Sequence, residues 1–182
     1  MKRLLLILIG YLGLMTSTAN AQDLDNLLYL ELKDGRVVIE MRPDVAPLHV
    51  ARIKQLVQEK FYDGLSFHRV IDGFMVQTGD PLGNGTGGSG QKIKAEFSKE
   101  PHLRGTVSMA RAGHDVNSGD SQFFICLADA RFLDEQYSAW GSVIQGMEFV
   151  DKIKKGNANN NGSVVNPDKI LTIRLATEVE NN

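Results

Sequence analysis

Two strand-like runs, Leu27 to Lys33 and Arg36 to Met41, meet at Asp34-Gly35. An Asp-Gly pair between such runs is a strong hairpin signal, because glycine tolerates the positive φ that a tight turn needs. The pattern recurs along the chain. Phe67 to Ile71 and Phe74 to Thr78 are split by Asp72-Gly73, and Thr106 to Arg111 and Gln122 to Leu127 are split by AGHDVNSGDS. Ala139 to Ile144 and Lys169 to Thr177 are further strand candidates. Helical spacing is confined to two places. Pro47 suits a first helical turn, and Val50, Ile53, Leu56 and Val57 make one apolar face reaching Lys60, after which Asp63-Gly64 turns the chain. Met147 to Lys155 is a shorter helix with Phe149, Val150 and Ile153 on one side. Many short strands with turns between them predict a mainly β fold, a closed or nearly closed antiparallel sheet covered by two helices.

The chain has 182 residues, 42% hydrophobic and 23% charged, which is enough for one sizeable core and short for two domains. Lys+Arg is 20 against Asp+Glu 22, and the basic residues are scattered, so no nucleic acid partner is expected. Residues 1–21 stand apart. Lys2 and Arg3 precede the apolar run Leu4 to Met15, and the segment ends in Ala19-Asn20-Ala21. That is the pattern of a cleaved signal peptide, and the run is shorter than the roughly 20 residues a bilayer span needs. Residues 22–182 are then expected as one exported, monomeric domain that does not span a membrane.

Several motifs that resemble chemistry have plainer readings. Gly83-Asn84-Gly85-Thr86-Gly87-Gly88 matches G-x-G-x-x-G, but the following SGQKIKAEFS lacks the helical period a pyrophosphate site needs, so it reads as a surface loop. Asn84-Gly85-Thr86 and Asn161-Gly162-Ser163 match a glycosylation sequon, which matters only in a source that glycosylates exported proteins. Cys126, within FFICL, reads as a buried small hydrophobe. His49, His68, His102 and His114 lack metal-ligand spacing, and neither a metal nor a cofactor is expected.

What remains is FHRVIDGFMVQTGDP, residues 67–81. Strand alternation puts Phe67, Arg69 and Ile71 on one face and His68 and Val70 on the other. Either face can be the core, and both choices leave an arginine beside large apolar groups. Met75 and Gln77 share a face of the second run.

FHRVIDGFMVQTGD, GNGTGG, GTVSMARAG and SQFFICLADARFLD, in this order and spacing, resemble the cyclophilin-type peptidyl-prolyl cis–trans isomerases, from about Leu27 to about Ala176. With the leader, the likeness is to exported, periplasmic members. It implies a closed eight-stranded antiparallel β-barrel capped by two α-helices, with a substrate groove on its surface. It implies Arg69 as the catalytic residue, and Phe74, Met75, Gln77, Ala110, Arg111, Gln122, Phe124, Phe132, Leu133 and Tyr137 as the substrate-binding set. The substrates it implies are proline-containing peptides and unfolded exported proteins. Two positions depart from many members. Phe132 stands where a tryptophan is common, which puts cyclosporin binding in doubt, and Tyr137 replaces a histidine. Trp140 reads as packing rather than as a replacement for that tryptophan.

Overall fold

The computed structural model describes residues 24–180, so the signal-peptide reading lies outside the described residues. Eight strands are found among them: β1 (Leu27–Leu32), β2 (Gly35–Met41), β3 (Arg69–Ile71), β4 (Met75–Thr78), β5 (Thr106–Met109), β6 (Phe123–Cys126), β7 (Ala139–Gln145) and β8 (Thr172–Leu175). They form one antiparallel curled sheet in the order β3-β4-β6-β5-β7-β2-β1-β8. Three helices accompany it, α1 (Pro47–Gln58), α2 (Met147–Val150) and α3 (Ala176–Glu180).

The expected hairpin forms, with Leu32 opposite Gly35 and Lys33-Asp34 at its tip. Helix α1 buries Val50, Ile53, Leu56 and Val57, and packs against β7 and β8. It ends two residues early. Phe61 N–H donates back to Leu56 O and Lys60 N–H to Val57 O, with Lys60 at φ 58°, a left-handed cap that closes the last turn.

Most strands are shorter than the runs that signalled them. Met147 to Lys155 keeps one helical turn, and the end of the last run is α3 rather than strand, with Ala176 buried against Leu27 and Val38. Phe67 does not share a face with Arg69. It is fully buried in the core, and its N–H donates to Asp168 O at 2.9 Å, so β3 begins only at Arg69. That turn inward also settles closure. The β-ladder is open between β3 and β8. The seam is bridged by irregular chain, with Ser66 opposite Lys169, Gly64 N–H on Ile170 O and Ile170 N–H on Leu65 O.

Besides the small Leu27, Val38 and Ala176 cluster, alternation builds two larger apolar clusters. Val37, Ile39, Val70, Val76, Val107, Phe123, Ile125 and Ile173 point inward to the main core, with Trp140 fully buried against Phe123 as packing. The opposite faces of β4 and β6 are apolar too. Met75, Phe124 and Cys126 join Ala130 and Leu133 on the outside of the sheet. Cys126 is fully buried there, and burial pushes its thiol up to about 12, which fits a packing residue and not a nucleophile.

The free edge of β3 is covered by residues 156–164. Val70 N–H donates to Gly162 O at 2.8 Å, Gly156 N–H to Val70 O at 3.0 Å and Val164 N–H to His68 O at 3.1 Å. Gly162 has φ +76°, and a Cβ there would lie 2.5 Å from Ile71 Cγ1 and 2.9 Å from Val70 O. Gly64 has φ +77° with nothing near a Cβ. Gly64→Ala should therefore show the backbone strain alone, about 1–2 kcal/mol. Gly162→Ala should exceed it by at least about 1 kcal/mol, because backbone must also move. Urea denaturation of the two variants measures the difference, and equal losses would contradict this view of the edge.

Candidate active site

The outward apolar cluster floors a cleft of about 780 Å³. Of the residues singled out in the sequence, Arg69, Phe74, Met75, Gln77, Ala110, Arg111, Phe124, Phe132, Leu133 and Tyr137 all line it. The β3-β4 pairing explains much of this. Arg69 sits opposite Gln77 and Ile71 opposite Met75, so the arginine, the glutamine and the methionine rise from one face. Arg69 Nη1 donates to Gln77 Oε1 at 3.0 Å and lies 4.0 Å from Met75 Sδ. Strand β6 pairs on the far side of β4 and places Phe124 opposite Gln77.

The remaining wall comes from a turn. Residues 131–133 form a 3-10 turn, which buries Leu133 and leaves Phe132 64% exposed at the rim. The Phe132 ring lies 5.4 Å from that of Phe74, while Tyr137 meets Phe124 edge-on at 5.7 Å. The turn is tied down from below. Asp134 accepts from His102 N–H at 2.7 Å and also pairs with Arg131, and these bonds hold its carboxyl down to about 2. His102 is itself buried and bridges Asp134 Oδ1 at 3.2 Å and Ser108 Oγ at 3.1 Å.

Gln122 is the exception. It sits in an adjoining cleft of about 290 Å³ shared with Gln77, Ala110 and Arg111. Its Oε1 accepts from Gln77 Nε2 at 2.9 Å, and its Nε2 donates to Gly85 O and Gly87 O. It thus braces Gln77 and holds the glycine loop. No helix follows that loop directly, and the next element is β5 at Thr106. The backbone N–H groups of Leu82, Asn84 and Gly85 already donate to the carboxylate of Asp80, so donors an anion would need are engaged within the protein.

The cleft also contains groups that periodicity did not reveal: His68, residues 83–86, Asn160, Asn161, Ser163 and Val164. Asn161 accepts from Arg69 twice, Nε to its carbonyl at 3.0 Å and Nη2 to its Oδ1 at 2.9 Å. Burial lowers the guanidinium below its ordinary value, yet an arginine remains a cation at any working pH. The site therefore combines a permanent, oriented cation with an apolar seat. Among the described residues no group of three or more His, Cys, Asp or Glu could hold a metal ion.

Residues 27–175 match the family model described as cyclophilin type peptidyl-prolyl cis-trans isomerase. The chain belongs to the cyclophilin-type peptidyl-prolyl cis–trans isomerases. It is 52% identical over 175 residues to a probable peptidyl-prolyl cis-trans isomerase of Brucella suis, covering 90% of this chain and 89% of that one. It is 42% identical over 149 residues to the peptidyl-prolyl cis-trans isomerase of Synechococcus elongatus, covering 82% and 95%. A cyclophilin crystal structure from Hirschia baltica superposes with a TM-score of 0.76 at 29% identity, over 86% of this chain and 76% of that one. A Cryptosporidium parvum cyclophilin in the presence of the dipeptide Ala-Pro gives 0.74 at 25%, over 82% and 98%.

This cyclophilin carries three buried histidines around its groove and core. Burial pushes His49, His68 and His102 below the ordinary value of about 6.5, with Glu96, Asp80 and Asp134 respectively offsetting part of the fall. The unfolded chain then binds protons that the folded one refuses, so stability should fall as pH drops through about 6.5. Carboxylates held low, such as Asp63, Asp80 and Asp134, are ionised in both states until about pH 5 and add their loss only below it. The urea midpoint should be lower at pH 5.5 than at pH 7.5. An equal or higher midpoint at pH 5.5 would contradict these assignments.

Proposed function

We propose that Arg69 is the catalytic residue, that the cleft seats the proline of an X–Pro bond, and that the substrates are unfolded exported proteins. The X–Pro amide resists rotation because its C–N bond has partial double-bond character, with a barrier of roughly 18–20 kcal/mol. Uncatalysed exchange takes about 10–100 s at 25 °C. No covalent bond forms or breaks. The enzyme has only to favour the twisted amide, in which resonance is lost and the proline nitrogen regains a lone pair.

Arg69 can donate to that nitrogen, which accepts poorly while the amide is planar, so the bond strengthens mainly in the transition state. The observation that carries this reading is the grip of Gln77 and Asn161 on a guanidinium at the mouth of the Met75, Phe124 and Leu133 cluster. Bringing exchange to milliseconds requires about 6 kcal/mol, at 1.36 kcal/mol per decade. A hydrogen bond in water falls well short of that. In the cleft Phe74, Met75, Phe124 and Leu133 exclude water from the ring and lower the local dielectric, which strengthens the bond. Arg111 is held over the Tyr137 ring, 4.6 Å from its centroid, and completes the groove beside Ala110.

Residues 1–21 support the export part of the reading, with their basic start, apolar run and Ala19-Asn20-Ala21. The periplasm is the compartment this implies. The dipeptide present with the Cryptosporidium parvum cyclophilin, Ala-Pro, is the kind of segment this cleft would take. A module that grips proline peptides without turning them over is the competing account, and one comparison separates the two. Arg69→Ala should lower the peptide exchange rate by about 10²–10³-fold, the loss seen for removal of one transition-state donor. Peptide Kd should change far less. Exchange followed by NMR and Kd by titration give both numbers, and equal losses would support the binding account.

The rim makes a separate prediction. Phe132 offers an exposed ring without an N–H donor. Phe132→Trp restores that donor, and cyclosporin affinity should rise by about 2–10-fold, the worth of one net hydrogen bond. Unchanged affinity in a competition titration would show that the indole N–H is not what this chain lacks.

A further inference from the structure

Arg69 presents five N–H donors. Gln77 Oε1 takes one on Nη1, across the β3-β4 ladder. The Asn161 carbonyl takes the one on Nε, and Asn161 Oδ1 takes one on Nη2. One hydrogen on Nη2 is left, and the second on Nη1 meets only the Met75 sulfur at 4.0 Å, a weak acceptor that a substrate can displace, so both serve the cleft that Arg69 lines. The Gln77 contact alone would let the guanidinium swing about its last bonds. The Asn161 contacts engage two nitrogens along one edge and so fix the plane, as a bidentate acceptor does.

The backbone around Asn161 is shaped for this task. It lies in the left-handed region at φ 49°, ψ 32°, which asparagine tolerates better than most residues. Its neighbours hold it there. Gly162 N–H donates to Asn157 O at 2.9 Å, Gly162 O accepts from Val70 N–H, and Ser163 pairs with Arg69 itself. Asn161 is also uncharged, so it orients the cation without neutralising it.

We infer that Asn161 is a positioning residue for isomerisation, which holds the Arg69 guanidinium plane so that its free hydrogens meet the twisted amide. This rests on the catalytic role proposed for Arg69. A purely structural role predicts that Asn161→Gly is tolerated, since glycine adopts the same backbone conformation at no steric cost and, of the two contacts to Arg69, loses only the one to Oδ1.

The test uses the purified chain and an Ala-Pro-containing peptide. Asn161→Gly should lower kcat by about tenfold or more, the effect of losing a hydrogen bond to a charged group. KM should stay within about twofold, because the aimed donor matters mainly in the transition state. The melting temperature should hold. Side-chain ¹⁵N NMR should show faster rotation of the Arg69 guanidinium in Asn161→Gly, and slow rotation again in Asn161→Asp, which restores the acceptor. A kcat for Asn161→Gly within twofold of the unchanged chain, or a loss without faster guanidinium rotation, would overturn the proposal. Arg69→Ala measured in parallel separates the two readings. A loss there with none in Asn161→Gly overturns the positioning role alone, whereas no loss in Arg69→Ala removes the mechanism beneath it.

Discussion

Arg69 brings a permanent charge to the margin of an apolar cluster, and the groove is organised around keeping that charge both satisfied and usable. A guanidinium there needs acceptors, since an unpaired buried charge is costly. Acceptors that took every hydrogen would leave nothing for a substrate. Gln77 on β4 and Asn161 on the edge-covering loop divide the task, leaving one donor on Nη2 free and one on Nη1 against only the weakly accepting Met75 sulfur. Gln122 then fixes Gln77, and through Gly85 and Gly87 it also fixes the glycine loop, so the cation's surroundings extend into the second cleft.

The seat beside the cation arises because β4 and β6 carry large apolar side chains on both faces. Val76, Phe123 and Ile125 serve the main core, and Met75, Phe124 and Cys126 face outward. An outward apolar face has to be covered. The turn carrying Leu133 covers part of it, and the uncovered remainder forms the cleft. His102 and Asp134 belong to this arrangement as supports for the turn, with buried His102 linking Ser108 to the partly exposed Asp134.

Much of this was legible in the sequence, for identifiable reasons. The hairpins and α1 were readable because their periods and turn residues are local. Arg69 was joined to Met75 and Gln77 in the sequence only by the family resemblance, and the structure supplies the reason, since the β3-β4 hairpin brings 69 opposite 77. Alternation did not settle which face was core. The answer lies in Val76 entering the core on β4, and in Phe67 leaving the strand pattern to close the seam with Asp168. Arg69 and Asn161 are 92 positions apart, and a polar stretch such as NANNNG carries no periodic signal of what it will face. The α3 turn was hidden for a similar reason. Its one buried residue, Ala176, follows Leu175 directly and so prolongs an apolar run that reads as strand, although it packs on the other face against Leu27 and Val38.

The most direct test of this account keeps the charge and removes the fork. In Arg69→Lys an ammonium replaces the guanidinium, and it cannot hold Gln77 and Asn161 in one plane while aiming further donors into the cleft. The on-enzyme exchange rate at saturating peptide, measured by NMR exchange spectroscopy, should fall by about tenfold or more. A rate close to that of the unchanged chain would mean that a nearby positive charge suffices, and would contradict the aimed donor on which the account depends.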